Sequence, residues 1–245
     1  MSGSFVSQHR AGATVGWSVA YPPGADGTES LPLVVALHGL GMTHDSVMGA
    51  ELGVPHFLAA AVGAGVPPFA IAAADGGNGY WHSHDGDDAG EMVTSELIPL
   101  LGGRGLRTDR LGLIGWSMGG YGVLRLGGVL GAQRVAAISA VSPALWVDAD
   151  DASRSGFDNA AEYEQFSVMQ RPADLAGIPL RIDIGDDDPF YDATKTYVAG
   201  FPDDAELVTT FEHGAHDAAY WTRMLPAELT FLGEHLAGSE VGSES

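Results

Sequence analysis

The chain has 245 residues, of which 45% are hydrophobic and 18% are charged, a balance typical of globular proteins and unlike that of disordered or fibrous ones. Its 32 acidic residues outnumber its 11 basic ones, and the formal net charge of −21 argues against nucleic acid or an anionic membrane surface as a partner. The absence of cysteine excludes disulfides, thiolate catalysis and cysteine-based zinc sites.

Apolar or β-branched runs recur along the chain, separated by polar or glycine-rich stretches with helical spacing. Several runs are continuously apolar, which is typical of strands buried on both faces of a parallel sheet. They predict strands at 14–21, 31–39, 69–75, 110–115, 134–142, 180–185 and 206–212. Helical patterns at 90–101 and 119–130 lie between them, so the alternation predicts an α/β fold with a mostly parallel central sheet and helices on both faces.

The chain shows no internal repeat and no linker that would divide it, so we predict a single domain over residues 1–238. Residues 148–175 are more polar than their surroundings and interrupt the alternation. This break predicts a small cap insertion over a site, with a surface excursion as the alternative. Residues 239–245 are predicted to form a flexible tail.

Membrane and targeting signals are weak in this sequence. No stretch reaches the roughly 18 consecutive apolar residues of a membrane helix, and residues 1–10 lack the pattern of a secretory signal. We therefore predict a soluble, cytoplasmic protein without stable membrane insertion, and the alternative of a removed leader stays open. The sequence makes no prediction of the oligomeric state.

The segment Gly115-Trp116-Ser117-Met118-Gly119 fits the pattern G-x-S-x-G, and it follows a predicted strand and precedes a predicted helix. In that context the pattern indicates a nucleophile elbow, where the chain turns sharply and holds the serine in a strained conformation. Glycines on both sides remove Cβ atoms that would collide at such a turn. We therefore predict that Ser117 is a nucleophile, with a plain glycine-rich turn as the alternative.

A serine nucleophile needs a base to take its proton. His216 is the leading candidate because it follows the last predicted strand and precedes a helix, which places it at the same sheet edge as Ser117. His213, three residues earlier, is its rival. The neighbouring Asp217 is interpreted as a helix cap and not as the catalytic acid.

Three consecutive aspartates, Asp186, Asp187 and Asp188, follow the penultimate predicted strand and offer the carboxylate that orients the base. Because adjacent buried charges repel one another, one of the three is expected to point inward and the others outward. The order serine, aspartate, histidine along the chain is that of α/β-hydrolases.

The oxyanion of an acyl-transfer intermediate needs two backbone N–H donors. Met118, directly after the nucleophile, is one predicted donor, and Leu40, in the segment "ALHGLG" at 36–41, is the other. In the same segment His38 and Gly39 are candidate substrate contacts, with a plain strand-end turn as the alternative.

Together these residues resemble the putative-esterase family of α/β-hydrolases, which includes esterase D (S-formylglutathione hydrolase), the feruloyl esterases and the antigen 85 mycolyltransferases. The resemblance runs over most of the chain. It is carried by "LVVALHGL" (33–40), "GWSMGG" (115–120), "SPALW" (142–146), "GDDDPF" (185–190) and "GAHDAAYW" (214–221).

The resemblance implies an α/β-hydrolase fold and assigns a role to each residue that matches the family's motifs. Ser117 corresponds to the nucleophile, and the amides of Leu40 and Met118 to the oxyanion hole. The family's acid pattern selects Asp188, with Asp187 second. The pattern G-x-H-x-x-x-W selects His216 as the base, with Trp221 packed behind it.

The segment 74–84 resembles the family stretch near the acyl pocket, which implies pocket-wall roles for several aromatic side chains, with plain packing as the alternative. These candidates, together with two beside the predicted catalytic loops, are Tyr80, Trp81, His82, Trp116 and Trp146. The acidic run at 84–91 lacks the regular oxygen spacing of a calcium loop, so no metal and no cofactor is predicted.

We predict a serine hydrolase that cleaves small-molecule carboxylic esters or thioesters through an acyl-enzyme on Ser117. One alternative is a mycolyltransferase-like acyltransferase, which would use the same triad to deliver the acyl group to an alcohol or a sugar. Another is a noncatalytic binding protein on a hydrolase fold. The sequence makes no prediction of acyl or alcohol preference.

Overall fold

The computed structural model describes residues 1–25, 27 and 29–238, so the predicted tail at 239–245 lies outside the described residues. Within this part of the chain, eight strands form one central sheet and two short strands pair separately. The strands in chain order are β1 (Ser2–Val6), β2 (Thr14–Ala20), β3 (Pro32–Leu37), β4 (Ala70–Ala74), β5 (Ser83–His84), β6 (Asp87–Asp88), β7 (Arg107–Trp116), β8 (Val135–Val141), β9 (Leu180–Gly185) and β10 (Leu207–Glu212).

The central sheet is mostly parallel, as predicted. Its order is β1-β2-β4-β3-β7-β8-β9-β10, and all neighbours from β4 to β10 pair in parallel. Only the edge formed by β1 and β2 is antiparallel within the described sheet. Each of the seven predicted strands is present, and its ends lie within three residues of the predicted ones.

Helices cover both faces of this sheet, which confirms the predicted three-layer α/β fold. The helices in chain order are α1 (His44–Met48), α2 (Val54–Gly63), α3 (Ala89–Met92), α4 (Ile98–Gly102), α5 (Met118–Leu130), α6 (Ala160–Phe166), α7 (Tyr191–Val198) and α8 (Ala218–Gly238). A π-helical turn at Val93–Leu97 joins α3 to α4, so the single helix predicted at 90–101 is a continuous run of three pieces.

Strand β3 explains why the sheet has a core on each side. All six of its residues are buried, and successive side chains of a strand point to opposite faces. Val35 packs in the cluster that includes α5, whereas Val34 packs in the cluster that includes α2 and α8. Continuous apolar character is therefore required at this strand.

The structure contains strands that the sequence analysis did not identify. β1 is an edge strand whose residues are mostly exposed, so it lacks the apolar run on which the prediction of strands relied. β5 and β6 have only two residues each. None of the helices in the described ranges combines the length and the apolar character that crossing a bilayer requires.

The chain between β8 and β9 leaves the sheet and returns to it. It carries α6 between 3₁₀ turns at Ala149–Asp151 and Pro172–Leu175. Phe157 in this segment packs against Tyr80, with ring centroids 5.6 Å apart, so the excursion lies against the 74–84 segment. Its predicted role as a cap stays a prediction.

Candidate active site

Ser117 occupies a sharp turn between β7 and α5. Its φ of 56° and ψ of −115° are strained values for a residue with a side chain. A Cβ at Gly115 would lie 2.2 Å from the carbonyl oxygen of Gly119, and one at Gly119 would lie 1.9 Å from that of Leu37. The turn therefore requires glycine at both positions, which is the physical basis of the G-x-S-x-G pattern.

The structure brings Ser117, His216 and Asp188 into one hydrogen-bonded relay. His216 Nε2 lies 2.8 Å from Ser117 Oγ, and His216 Nδ1 lies 2.7 Å from Asp188 Oδ2. Since a carboxylate oxygen accepts, Nδ1 carries the proton and donates to Asp188, which leaves Nε2 to accept from the serine hydroxyl. This is the tautomer that a general base beside a serine needs.

Burial distinguishes Asp188 from its neighbours. Its side chain has no exposed surface, and its second oxygen, Oδ1, accepts the backbone N–H of Phe190 at 2.9 Å. Both oxygens therefore have donors, which compensates the cost of burying the charge. The side chains of Asp186 and Asp187 are 50% and 70% exposed, so one aspartate of the three points inward, as expected.

His213 lies outside the relay. Its ring is 86% exposed and its Nδ1 lies 3.3 Å from Asp186 and 3.8 Å from Asp187. His216 is 24% exposed at its side chain and packs edge-on against Trp221 at 5.2 Å between ring centroids. Asp217 accepts the N–H of Tyr220 at 2.9 Å, which is the predicted helix cap.

Two backbone amides border the serine from different loops. Met118 is the first residue of α5, and such a residue has no intrahelical acceptor for its N–H. The loop after β3 approaches from the other side, where a Cβ at Gly39 would lie 3.5 Å from the Cβ of Ser117. Leu40 follows in that loop, and its side chain is exposed. The predicted donors therefore lie in the two loops next to the nucleophile.

The loop at 38–41 is held in place by the loop that follows β4. His38 Nε2 accepts the N–H of Gly76 at 2.9 Å, while its Nδ1 donates to the carbonyl of Gly39 at 2.8 Å. The side-chain oxygen of Asn78 accepts the N–H of Gly41 at 2.9 Å. Burial lowers the pKa of His38, which favours the neutral ring that these bonds require.

Three of the predicted substrate contacts have buried side chains. The side chain of His38 has no exposed surface, and both of its ring nitrogens are engaged in the bonds just described. Trp116 is fully buried in the cluster on the α8 side of the sheet. Trp81 is buried and donates its indole N–H to the carbonyl of His38 at 3.2 Å. In this structure the three side chains serve packing and hydrogen bonding, and their predicted contact with substrate stays a prediction.

Tyr80 and Trp146 belong to an aromatic cluster that extends from the relay. Phe190 lies 5.2 Å from the His216 ring and 5.4 Å from that of Trp146, and Trp146 lies 5.5 Å from Tyr80. Trp146 and Phe190 are partly exposed, so they can border a substrate. The sequence analysis missed Phe190, although the apolar residue that follows the acid in "GDDDPF" was a signal for it.

His82 lies further from the serine, at the far end of the same cluster. Its ring stacks on Phe166 at 4.3 Å, and burial lowers its pKa to about 4. Its Nε2 is buried and has no hydrogen-bond partner among the described residues. A neutral, stacked imidazole of this kind acts as packing surface, and its predicted contact with substrate stays a prediction.

Two groups of side chains in the described ranges could each offer three ligand atoms to a metal. They are His84, Asp158 and Glu162 in one group and Asp186, Asp187 and His213 in the other. In the first group burial is the largest single influence on His84 and lowers its pKa, but the hydrogen bond from its Nδ1 to Glu162, at 2.9 Å, together with nearby carboxylate charges raises that pKa overall. Neither group includes a member of the relay.

The chain is similar to known proteins in sequence and in fold. The sequence model of the family described as "Putative esterase" matches residues 9–232. A ferulic acid esterase superposes with a TM-score of 0.81 at 22% identity, covering 96% of this chain and 98% of its own. The S-formylglutathione hydrolase of Agrobacterium tumefaciens superposes with a TM-score of 0.78 at 20% identity, covering 96% of this chain and 94% of its own.

A third solved structure, the fluorophosphonate-binding serine hydrolase F of Staphylococcus aureus, superposes with a TM-score of 0.76 at 16% identity, covering 95% of this chain and 97% of its own. These likenesses show the α/β-hydrolase fold. The comparison with curated proteins gives no significant match. Because the family model spans nearly the whole chain and the strained serine lies where its fold requires it, the chain belongs to the putative-esterase family.

Proposed function

We propose that the chain is a serine esterase in which Ser117, His216 and Asp188 hydrolyse small-molecule carboxylic esters or thioesters through an acyl-enzyme. The observation that carries this proposal is the continuous relay, with 2.8 Å from Ser117 Oγ to His216 Nε2 and 2.7 Å from His216 Nδ1 to Asp188 Oδ2. These contacts join residues that are distant in sequence, because Ser117 lies 99 positions and Asp188 28 positions before His216.

In the first half-reaction, Ser117 Oγ attacks the carbonyl carbon while its proton passes to His216 Nε2. The carbonyl oxygen becomes an oxyanion, and Asp188 stabilises the imidazolium that forms. When the tetrahedral intermediate collapses, the bond to the alcohol or thiol breaks, and His216 Nε2 returns its proton to the leaving group. The acyl group remains on Ser117.

In the second half-reaction, water repeats the same steps on the acyl-enzyme. His216 Nε2 takes a proton from water as its oxygen attacks the acyl carbon. The intermediate collapses with transfer of that proton to Ser117 Oγ, which releases the carboxylic acid. The enzyme returns to its starting protonation state.

The N–H groups of Leu40 and Met118 are the proposed donors to the oxyanion. One such donor contributes about 2.7–4 kcal/mol to the transition state. The loop at 38–41 is tied to Gly76 through His38 and to Asn78 through the N–H of Gly41, and these bonds support this role because a donor must be in position before charge develops.

The surroundings of the relay favour a neutral substrate with an apolar or aromatic group. Phe190 packs against His216 and Trp146 packs against Phe190, and both rings are partly exposed, so they offer flat apolar surface. Asp187 and Asp217 are exposed beside the relay, and their charge disfavours an anionic leaving group. The ferulic acid esterase named above supports an aromatic acyl group by analogy of fold alone.

Two further expectations from the sequence belong to this proposal. The net charge of −21 supports a small-molecule substrate over nucleic acid. The packing of Phe157 against Tyr80, which belongs to the aromatic cluster that extends from the relay, supports a role for the 148–175 segment as a cap. A cytoplasmic location stays a prediction.

The experiment that tests the proposal is hydrolysis of a panel of 4-nitrophenyl esters with acetyl, octanoyl and cinnamoyl groups, with and without an added alcohol. We expect hydrolysis by the wild type and none above background for Ser117→Ala. Transfer of the acyl group to the alcohol as the main reaction would favour the transferase alternative. No turnover of any ester, together with no labelling by a fluorophosphonate, would overturn the proposal in favour of a binding protein.

A further inference from the structure

A polar cavity lies at the end of α5 opposite the nucleophile. Its volume is about 120 Å³, several times the space that one water molecule needs. Its walls come from α5, from the chain between α6 and β9, and from α7. No group in it belongs to the relay described above.

Two arginines face this cavity, Arg125 from α5 and Arg171 from the segment after α6. The guanidinium of Arg125 lies over the ring of Phe166 at 4.7 Å, and that of Arg171 donates to the backbone carbonyl of Glu164 at 3.0 Å. Among the described residues, neither guanidinium has a carboxylate ion-pair partner.

The chain has 32 acidic and 11 basic residues, so two arginines that lack a carboxylate partner within the described ranges form a local positive patch in one cavity. Elsewhere in the described structure Arg10, Arg181 and Arg223 each pair with a carboxylate. Guanidinium groups fixed by stacking and by a backbone bond retain donors for a planar or tetrahedral oxyanion, and the cost of ordering them is already met.

A buried hydroxyl supplies a second observation at the same place. Tyr197 lines the cavity and is 1% exposed, and its hydroxyl has no hydrogen-bond partner within the described ranges. A buried hydroxyl without a partner is costly, and a bound acceptor would relieve that cost. Asp174, which is exposed at the rim, is the one acidic residue of the lining and opposes an anion.

We propose that this cavity binds a small divalent oxyanion of the size of phosphate, with the guanidinium groups of Arg125 and Arg171 as its cationic ligands. The two positive charges exceed the single negative charge of Asp174, so the local balance is opposite in sign to that of the whole chain. Binding would join α5 to the segment that carries Phe166, whose carbonyl already accepts the hydroxyl of Tyr121 at 2.7 Å.

The test is calorimetric titration of the full chain with inorganic phosphate in low-salt buffer, against chloride at the same ionic strength. We expect one saturable site for phosphate and none for chloride. Arg125→Gln and Arg171→Gln should each weaken the affinity about tenfold or more, since each removes a charge-assisted ligand. Asp174→Asn should strengthen it severalfold, because it removes the opposing charge.

Arg134→Gln is the matched control, because Arg134 is exposed and donates only to the carbonyl of Thr108 among the described residues. Its affinity for phosphate should equal that of the wild type. No phosphate binding by the wild type, or an equal loss in Arg134→Gln, would overturn the proposal. If Arg125→Gln fails to fold, Arg171→Gln and Asp174→Asn still test the proposal. Both residues are exposed, and the two substitutions should change the affinity for phosphate in opposite directions. The readout is binding, so the result is independent of the esterase proposal.

Discussion

Two aspartate–histidine groups lie side by side on the loops that follow β9 and β10. In one, His216 contacts Asp188 at 2.7 Å, and the carboxylate side chain is completely buried. In the other, His213 lies 3.3 Å from Asp186 and 3.8 Å from Asp187, and all three side chains are at least half exposed. The residue types and the loops are the same, whereas the environment differs.

The two groups differ in burial, in the length of the acid–imidazole contact and in reach to Ser117, and these differences support His216 and Asp188 as the proposed catalytic pair. Water screens the exposed group, and such surface pairs contribute about 0–1 kcal/mol. Asp188 has donors on both oxygens and a histidine that reaches Ser117 at 2.8 Å. The exposed group also provides the control substitutions. His213 is the control for His216, three residues later in the same loop, and Asp187 is the control for the adjacent Asp188.

The largest effect on activity is expected when the two histidines are replaced in turn. We expect His216→Ala to lower kcat/KM for a 4-nitrophenyl ester by about 10⁴-fold or more, because no other base contacts Ser117 Oγ in the described structure. His213→Ala should stay within about twofold of the wild type. Equal losses in the two variants, measured by steady-state kinetics, would refute the assignment of the base.

Asp188 and Asp187 allow the same test of a buried residue against its exposed neighbour. Asp188→Asn should lower kcat by about 10⁴-fold, because an amide in this position no longer holds the tautomer that frees His216 Nε2. Asp187→Asn should change kcat less than about twofold, since its side chain is 70% exposed. A larger loss in Asp187→Asn than in Asp188→Asn would reverse the order of the two candidates.

A smaller effect is expected at the loop that carries the proposed oxyanion donor. Asn78→Ala removes the acceptor of the Gly41 N–H, so we expect kcat to fall about tenfold with little change in KM. Asn159→Ala is the matched control, because it removes an equivalent bond to the N–H of Glu162 in α6. The account of a pre-positioned loop fails if both variants keep the wild-type kcat.

Glu228 shows the opposite case, a buried acid without the donors that Asp188 has. It is fully buried on α8, and its carboxyl is within hydrogen-bonding reach of the buried carboxyl of Asp183, a contact that requires a proton on one of the two acids. Burial, followed by the charge of Asp183, raises the pKa of Glu228 well above its usual range. The native chain therefore keeps a proton that the unfolded chain loses above about pH 4.3.

Because the native state binds more protons, this group makes the free energy of unfolding fall as the pH rises above about 4.3. We expect Glu228→Gln to reduce that slope by up to about 1.4 kcal/mol per pH unit from about pH 5 up to the raised pKa of the native carboxyl. Urea unfolding at several pH values measures it. Glu234→Gln, an exposed position on the same helix, should keep the wild-type slope, and an unchanged slope in Glu228→Gln contradicts a protonated side chain.

The sequence analysis predicted the sheet and the elbow because both depend on local rules. Continuous apolar character identifies β3 and its parallel neighbours, since a strand covered on both faces cannot carry polar residues. The position of Ser117 follows from glycines that the turn requires on both sides. The choice of Asp188 over Asp187 depended on resemblance to a family, because adjacent residues of one type differ only in where they point.

Other features depend on tertiary contacts that no local pattern reports. His38 is adjacent to the oxyanion loop in sequence, yet both ring nitrogens bond to backbone groups, one of them from the distant Gly76. Phe190 reaches His216 only because the chain turns after Asp188. The convergence of Arg125 and Arg171 results from the packing of α5 against a segment that lies 46 positions further along.

The most direct test of the central claim is to map the site of covalent labelling by a fluorophosphonate with intact-mass and peptide mass spectrometry. The account predicts one adduct on Ser117 in the wild type, none in Ser117→Ala, a strongly reduced labelling rate in His216→Ala and an unchanged rate in His213→Ala. An adduct on another residue, or a wild-type labelling rate in His216→Ala, would contradict the proposed relay.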